Sequence, residues 1–265
     1  MNGFAGENMA NEAVLVTGGG RRLGRHIAIA LGRMGFPVAV HWSSSRDGAL
    51  SAVDEIRAAR GTAWDIKADL LSPDGPEYLV EAAATNGSMP IRHLVHAAAL
   101  FEFDAPEAFT DDAWERHMGL NARAGIRLAV RLHEHLAGEQ GSAVFVLDQK
   151  LWNLHSDFFT YTLAKQALHG SMPMLARSLA PGMRINGVAP GFTLSNPGES
   201  PEVIRAYART LPLRMTADPD DVAAAIGFLL RARTVTNQTI LVDGGEHLVP
   251  VNCDPMFTAA IKPQA

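Results

Sequence analysis

Tyr161 and Lys165 stand four residues apart in the stretch FFTYTLAK. On a helix that spacing puts both side chains on one face. A free phenol, with a pKa near ~10, is a poor acid–base group at neutral pH, but a neighbouring ammonium favours the phenolate and lowers that value. The pair is therefore a candidate proton-handling unit. Tyr-x-x-x-Lys is a frequent pattern taken alone; its position gives it weight. It follows an apolar run, SAVFVLD, that ends at Asp148, and it leads a helical stretch continuing through AKQALHGSMPMLARSLA. Asp148 thus brings a carboxylate to the same neighbourhood.

A second cluster, TGGGRRLGRHIAIAL, follows the first apolar run. Gly18, Gly19 and Gly20 permit a tight turn, and Gly24 lets the next helix sit close to the strand. Glycines after a strand are often only turn residues. These open a helix inside a βαβ unit, the context in which backbone N–H groups face a pyrophosphate. Arg21 and Arg22 are expected beside the adenosine ribose. The run HWSSSR supplies His41, Ser43 and Ser45 but no Asp or Glu to accept a bond from a ribose 2′-hydroxyl. A 2′-phosphate suits such a place better than a bare diol, so NADPH is the expected cofactor. The alternative, two arginines on a solvated helix start, stays open.

Positioning these groups needs a scaffold, and the chain supplies one by alternation. Apolar or β-branched runs at 13–18, 36–42, 62–70, 91–97, 142–148, 183–190 and 238–245 are separated by amphipathic stretches at 22–35, 46–60, 76–86, 111–137, 158–180, 201–209 and 219–232. The pattern predicts an α/β fold, a Rossmann-like doubly wound parallel seven-stranded sheet with helices on both faces. Strands so continuously apolar fit burial on both sides. With 265 residues, 47% hydrophobic, one domain over 12–265 is expected, preceded by a loose tail over 1–11. A loop over about 192–212, rich in Gly, Pro and Ser at its start, breaks the rhythm and is expected to bound a substrate site.

The net charge of −5 and the scattered Lys and Arg residues argue against nucleic acid as a partner. No apolar run approaches the ~20 residues that span a bilayer. A lone cysteine, Cys253, and an opening without the features of a signal peptide point to the cytoplasm. His133 and His135 flank Glu134, but residues two apart on a helix do not share a face, so no metal site is expected there.

The turn from Thr17 to Gly24, with Tyr161 and Lys165, resembles the short-chain dehydrogenase/reductase family, and the resemblance runs from residue 14 to 245. It implies that Asp69, followed by Leu70, contacts adenine, that Asn121 in GLNARA supports a water chain to the lysine, and that Pro190 and Gly191 in VAPGF lie beside the nicotinamide. Leu23 and Ala97 are likewise expected to border the cofactor. Two motifs depart from the family form. Arg22 replaces the middle glycine of the turn, and HAAALF replaces an Asn-Asn-Ala-Gly strand end, leaving any steadying role to the backbone or to His96, read as a buried, satisfied histidine. Where the family commonly places a serine, thirteen residues before the tyrosine, stands Asp148.

Within the family the chain is most similar to the pteridine reductases of the dihydromonapterin/dihydrofolate reductase type. The turn TGGGRRLG, the polar run HWSSS, YTLAK, and an aspartate at the place of Asp148 carry that likeness, and Phe101 falls where those enzymes present an aromatic ring to the pterin. What this implies is NADPH-dependent hydride transfer to a C=N bond of a pterin-like small molecule, in a homotetramer packed through the helices of 111–137 and 158–180. A carbonyl or 3-oxoacyl reductase, and a nucleotide-binding protein that has lost catalysis, are the alternatives.

Overall fold

Each strand is a short apolar run, and all five residues of β1 (Ala13–Thr17) are buried, as a strand covered on both faces requires. The computed structural model describes residues 11–87, 89–194, 201–254 and 257; positions 1–10 of the expected tail and 195–200 of the expected substrate loop lie outside them. In chain order come β1, α1 (Arg22–Arg33), β2 (Val38–Trp42), α2 (Arg46–Ala58), β3 (Ala63–Lys67), α3 (Gly75–Asn86) and β4 (Ile91–His96). Then follow α4 (Asp111–His117), α5 (Gly125–His135), β5 (Gly141–Val146), α6 (Phe159–Ser178), β6 (Met183–Pro190), α7 (Pro201–Ala208), α8 (Pro219–Arg231) and β7 (Thr239–Val242).

The seven strands are parallel and lie in the order β3-β2-β1-β4-β5-β6-β7. The period of two sends alternate side chains to opposite layers. Leu15, Leu94 and Phe145 pack with Leu79 of α3, Leu128 of α5 and Leu168 of α6. Val14, Val16 and Val95 pack on the other face with Ile27 of α1, Ile56 of α2 and Ile226 of α8. Each such side chain contributes ~1.5–3 kcal/mol by leaving water. The strand order reverses between β1 and β4, where Thr17 registers with His96. A crevice opens at such a switch point beyond the carboxyl ends of the strands.

Three expected boundaries move. The third strand stops at Lys67, which leaves Asp69 and Leu70 in the loop beyond it. The last strand stops at Val242, and a short 3₁₀ turn, Glu246–Leu248, follows the Asp243–Gly245 bend. The stretch read as one helix over 111–137 contains a π-helical segment, Met118–Ala124, between α4 and α5. Hydrophobic periodicity does not register one widened turn, and such turns often sit at functional sites.

Candidate active site

The phosphate turn is shaped by what a side chain would strike. Gly18 has φ +68°, and a Cβ there would lie 2.9 Å from Ala98 Cα; a Cβ on Gly24 would lie 2.2 Å from the Gly18 carbonyl oxygen. Behind the turn, α1 starts at Arg22 with no side-chain cap and no acid in its first turn, so its N–H groups and positive dipole end stay available to an anion. These features fit a pyrophosphate.

Sequence reasoning gave His41 to the cofactor, but the structure gives it another task. The ring is buried, accepts the Gly18 N–H on Nδ1 at 3.1 Å and donates from Nε2 to the Ala68 carbonyl at 3.2 Å. Burial pushes its pKa down to about 4, against the pull of the Ala68 carbonyl, so it stays neutral and holds the turn by its backbone. Ser43 is exposed and Ser45 partly so, beside Arg21. Arg22 adopts φ +48° and reaches away, donating to the Leu194 carbonyl at 3.2 Å at the start of the substrate loop. Both arginines are exposed and border the same cleft, but Arg22 is bonded to the loop backbone.

The altered strand end HAAA is held by a different device. Thr17 Oγ1 accepts the N–H groups of Ala97 and Ala98 at 3.0 Å each, so its own proton goes to His96 Nδ1 at 3.0 Å. The Nε2–H of His96 then donates to the Leu120 carbonyl at 3.2 Å, inside the π-helical segment. Burial, with Lys165 adding to it, pushes the His96 pKa down to about 3, which keeps the ring neutral in this arrangement. Asn121 is fully buried, and its side chain clamps Leu100, accepting the N–H at 2.8 Å and donating to the carbonyl at 2.9 Å. Its amide thus seats the loop that carries Phe101.

At the end of β5 the proton-handling groups meet. Tyr161 donates from its hydroxyl to Asp148 Oδ2 at 2.7 Å, and Asp148 Oδ1 accepts the Lys150 N–H at 2.9 Å. Lys165 donates to the Val146 carbonyl at 2.6 Å, with its ammonium 5.8 Å from the centre of the Tyr161 ring. The expected lowering of the tyrosine pKa does not occur. Burial and the bonded Asp148 carboxylate hold the Tyr161 phenol well above its usual range, and the ammonium, turned to Val146, does not offset them. Tyr161 keeps its proton and is placed to give it, not to take one. Burial also brings Lys165 down to about 8, with Asp148 opposing. Phe101 stacks on Phe158 at 4.0 Å between centroids and sets its ring edge-on to Tyr161 at 4.8 Å, while nearly half of the residue stays exposed.

A further carboxylate closes the site from the β7 side. Glu246 accepts from the Tyr207 hydroxyl at 2.8 Å, from Gln149 Nε2 at 3.1 Å and from the Phe192 N–H at 2.8 Å. Burial, then the nearby Asp148 and Asp243, raise its pKa to about 7 against the Phe192 and Tyr207 bonds. Sequence reasoning stopped at Gly245 and missed it. A carboxylate directly after the last strand's Gly-Gly bend was the available signal, because carboxyl ends of strands in this topology converge on the site. Tyr207 and Gln149 carried no comparable signal.

A single cleft of about 650 Å³ joins these parts. Of the residues named from the sequence it is bordered by Gly18, Arg21, Arg22, Leu23, Gly24, His41, Ser43 and Ser45 at one end, Asp69, Leu70, Ala97 and Phe101 along it, and Asp148, Tyr161, Lys165, Pro190 and Gly191 at the other, but not by Asn121. An elongated ligand can thus touch the phosphate turn and the Tyr161 hydroxyl together.

The chain is similar to known reductases along most of its length. A family model described as enoyl-(acyl carrier protein) reductase matches residues 19–247. An uncharacterized oxidoreductase of Methylorubrum extorquens is 31% identical over 246 residues, covering 89% of this chain and 98% of the relative. The 3-oxoacyl-[acyl-carrier-protein] reductase FabG of Staphylococcus epidermidis is 27% identical over 245 residues, covering 90% of this chain and 100% of its own. Among solved structures, FolM alternative dihydrofolate reductase 1 from Brucella suis, in complex with NADP, aligns with a TM-score of 0.86 at 35% identity, over 93% of this chain and 99% of that one.

Proposed function

The chain belongs to the short-chain dehydrogenase/reductase family, and from that premise we propose that it uses NADPH to reduce a C=N bond of a dihydropterin. The oxidoreductase class and the NADP(H) cofactor rest on the family and on the NADP-bound relative. The pterin rests on one observation, the 2.7 Å hydrogen bond from the Tyr161 hydroxyl to the carboxylate of Asp148. A ketone reductase needs a neutral donor against its carbonyl oxygen, and an ionised carboxylate there repels the developing alkoxide. Reduction of a C=N bond makes a ring nitrogen basic instead, and a carboxyl that passes on a proton suits it.

The uncapped start of α1 would hold the pyrophosphate of NADPH, and Ser43, Ser45 and Arg21 would face its 2′-phosphate. When bound, the cofactor supplies the hydride. The chain's own part is the proton. The proton on Tyr161 Oη moves only as the arriving hydride makes the substrate nitrogen more basic than the phenolate, passing in one step through Asp148 Oδ2 to that nitrogen, and the Lys165 ammonium then offsets the negative charge left on the tyrosine. Phe101, seated by Asn121 through Leu100, offers an aromatic ring beside Tyr161 for a flat heterocycle. A homotetramer in the cytoplasm goes with this reading; among the described residues no helix is long and apolar enough to cross a membrane.

The second reading, a 3-oxoacyl or carbonyl reductase, is favoured by the family model's description and by the FabG relative. Following NADPH oxidation with dihydrobiopterin, dihydrofolate and an activated ketone separates the two, and silence with all three would mark a chain that has lost catalysis. Asp148→Ser is expected to cut dihydropterin turnover by about a hundredfold, the range for loss of a general acid. Full dihydropterin activity in that variant, or a wild type that prefers the ketone, would sink the pterin assignment.

A further inference from the structure

We propose that Glu246 is a positioning residue of the reductase site, a buried carboxylate that pins both described ends of the substrate loop and the side-chain amide of Gln149 in one arrangement. Its three donors come from three parts of the chain. Phe192 opens the loop directly after Pro190 and Gly191, Tyr207 lies in α7 near the loop's far end, and Gln149 follows Asp148 at the end of β5. Glu246 is only 3% exposed, so these bonds form away from water, where leaving a donor unpaired is costly.

The loop's apolar contacts form a small separate cluster in which Tyr207 and Leu211 are buried and Phe192 and Val203 are partly so, apart from the two large layers around the sheet. Among the described residues that cluster is small, so the carboxylate's bonds to Phe192 and Tyr207 weigh heavily in holding the loop's ends. Gln149 shows the same dependence from the other side. Its Oε1 is buried without a hydrogen-bond partner while its Nε2 is bonded to Glu246, so the amide is oriented by Glu246 and not by its own satisfaction. Gln149 also begins the 3₁₀ turn Gln149–Trp152 that Asp148 caps, which ties the loop's seat to the carboxylate that bonds Tyr161. Around Glu246 stand Asp148 from just beyond β5, Tyr207 from α7, and Asp243, whose own carboxylate holds His247 at 2.6 Å.

This inference rests on the cleft being the reductase site and not on which substrate is reduced, so its test uses whichever dihydropterin or ketone the wild type turns over best. In Glu246→Gln one acceptor oxygen becomes a donor and meets donors. The expected result is a substrate KM raised about tenfold, with kcat within about threefold and NADPH affinity within about twofold of wild type, because the loop is loosened while the reacting groups stay in place. Amide hydrogen exchange at Phe192 and across 201–211 should speed up by about tenfold while β1, β4 and β5 keep their protection. Tyr207→Phe, which removes one hydroxyl and keeps the ring, should shift KM and the same amides in the same direction by about threefold and add nothing further to Glu246→Gln. A Glu246→Gln enzyme with wild-type KM and wild-type exchange would overturn the inference, as would exchange that rises evenly through the strands. If Glu246→Gln does not fold, unchanged exchange across 201–211 in Tyr207→Phe overturns it alone.

Discussion

The β1–α1 end of the cleft is lined by backbone N–H groups and exposed cations, whereas the β5–α6 end is lined by Tyr161 and Lys165 and backed by Glu246, which are 5%, 2% and 3% exposed. The first region works by shape. Gly18 and Gly24 leave no room for a Cβ, and the neutral ring of His41 fixes the turn through its backbone. The second region works by charge withheld from water, where burial displaces Tyr161 and Glu246 upward and Lys165 downward. One consequence is that the phosphate turn should fail through steric changes that leave its charge alone. The catalytic end should fail through changes of one atom that leave its shape alone.

The largest effect is expected at the catalytic end. Tyr161→Phe keeps the ring and removes only the oxygen bonded to Asp148, so kcat should fall about a thousandfold, the range for general acid catalysis, with NADPH affinity unchanged. Stopped-flow turnover and cofactor fluorescence titration measure the two quantities separately. An active Tyr161→Phe enzyme would remove the tyrosine from the proton path and leave Asp148 as its source. Gly24→Ala is the matching change at the other end. One methyl group 2.2 Å from the Gly18 carbonyl must push α1 off the turn, and NADPH affinity should fall by about thirtyfold, roughly 2 kcal/mol. Turnover at saturating NADPH should persist; if kcat collapses while affinity holds, the two regions are not separable in this way.

The same contrast governs what could be read before the fold was known. Strand–helix alternation and the glycine turn are local patterns, so the seven-stranded parallel sheet and the turn from Gly18 to Gly24 were legible. Tyr161 and Lys165 were legible because one helical turn relates them. The rest of the catalytic end is made by contacts between distant segments, such as Glu246 with Gln149 and Phe192, or Asn121 with Leu100. The direction of the Tyr161 shift was misjudged for the same reason. Spacing places an ammonium near the phenol, but the bond that decides the matter runs to Asp148, and the ammonium turns to the Val146 carbonyl.

The two arginines sharpen the comparison within the cofactor end. Arg22 donates to Leu194 across the cleft, while Arg21 stands exposed where Gly20 approaches Ser45. Arg21→Ala is therefore expected to lower the preference for NADPH over NADH by about tenfold, the scale of one charge-assisted phosphate bond. Arg22→Ala should weaken both cofactors alike and loosen the start of the substrate loop. Dissociation constants for both cofactors with both variants decide this. A selective loss of NADPH in Arg22→Ala would put its guanidinium at the 2′-phosphate instead.

The smallest effect is a dependence on pH, and it separates what the buried charge does for catalysis from what it does for stability. Lys165 titrates at about 8 because burial disfavours its ammonium, although Asp148 favours it. In the proposed reaction the ammonium offsets the charge left on Tyr161, so kcat should be flat below about pH 7 and fall as pH rises through about 8, approaching tenfold per unit. Stability moves the other way. The unfolded chain holds this proton up to about 10.5 and the native chain only to about 8, so between these values the unfolded state binds more protons and native stability rises with pH. Lys165 thus costs the fold on the order of 3 kcal/mol below pH 8 and little above 10.5. Lys165→Met deletes the titration along with the bond to Val146. Its stability relative to wild type should therefore decline steadily from pH 8 to 10, measured by urea unfolding, while its turnover is absent throughout. A stability difference that stays level over that range would mean Lys165 keeps an ordinary pKa, and the fall in kcat near pH 8 would then belong to another group of the site.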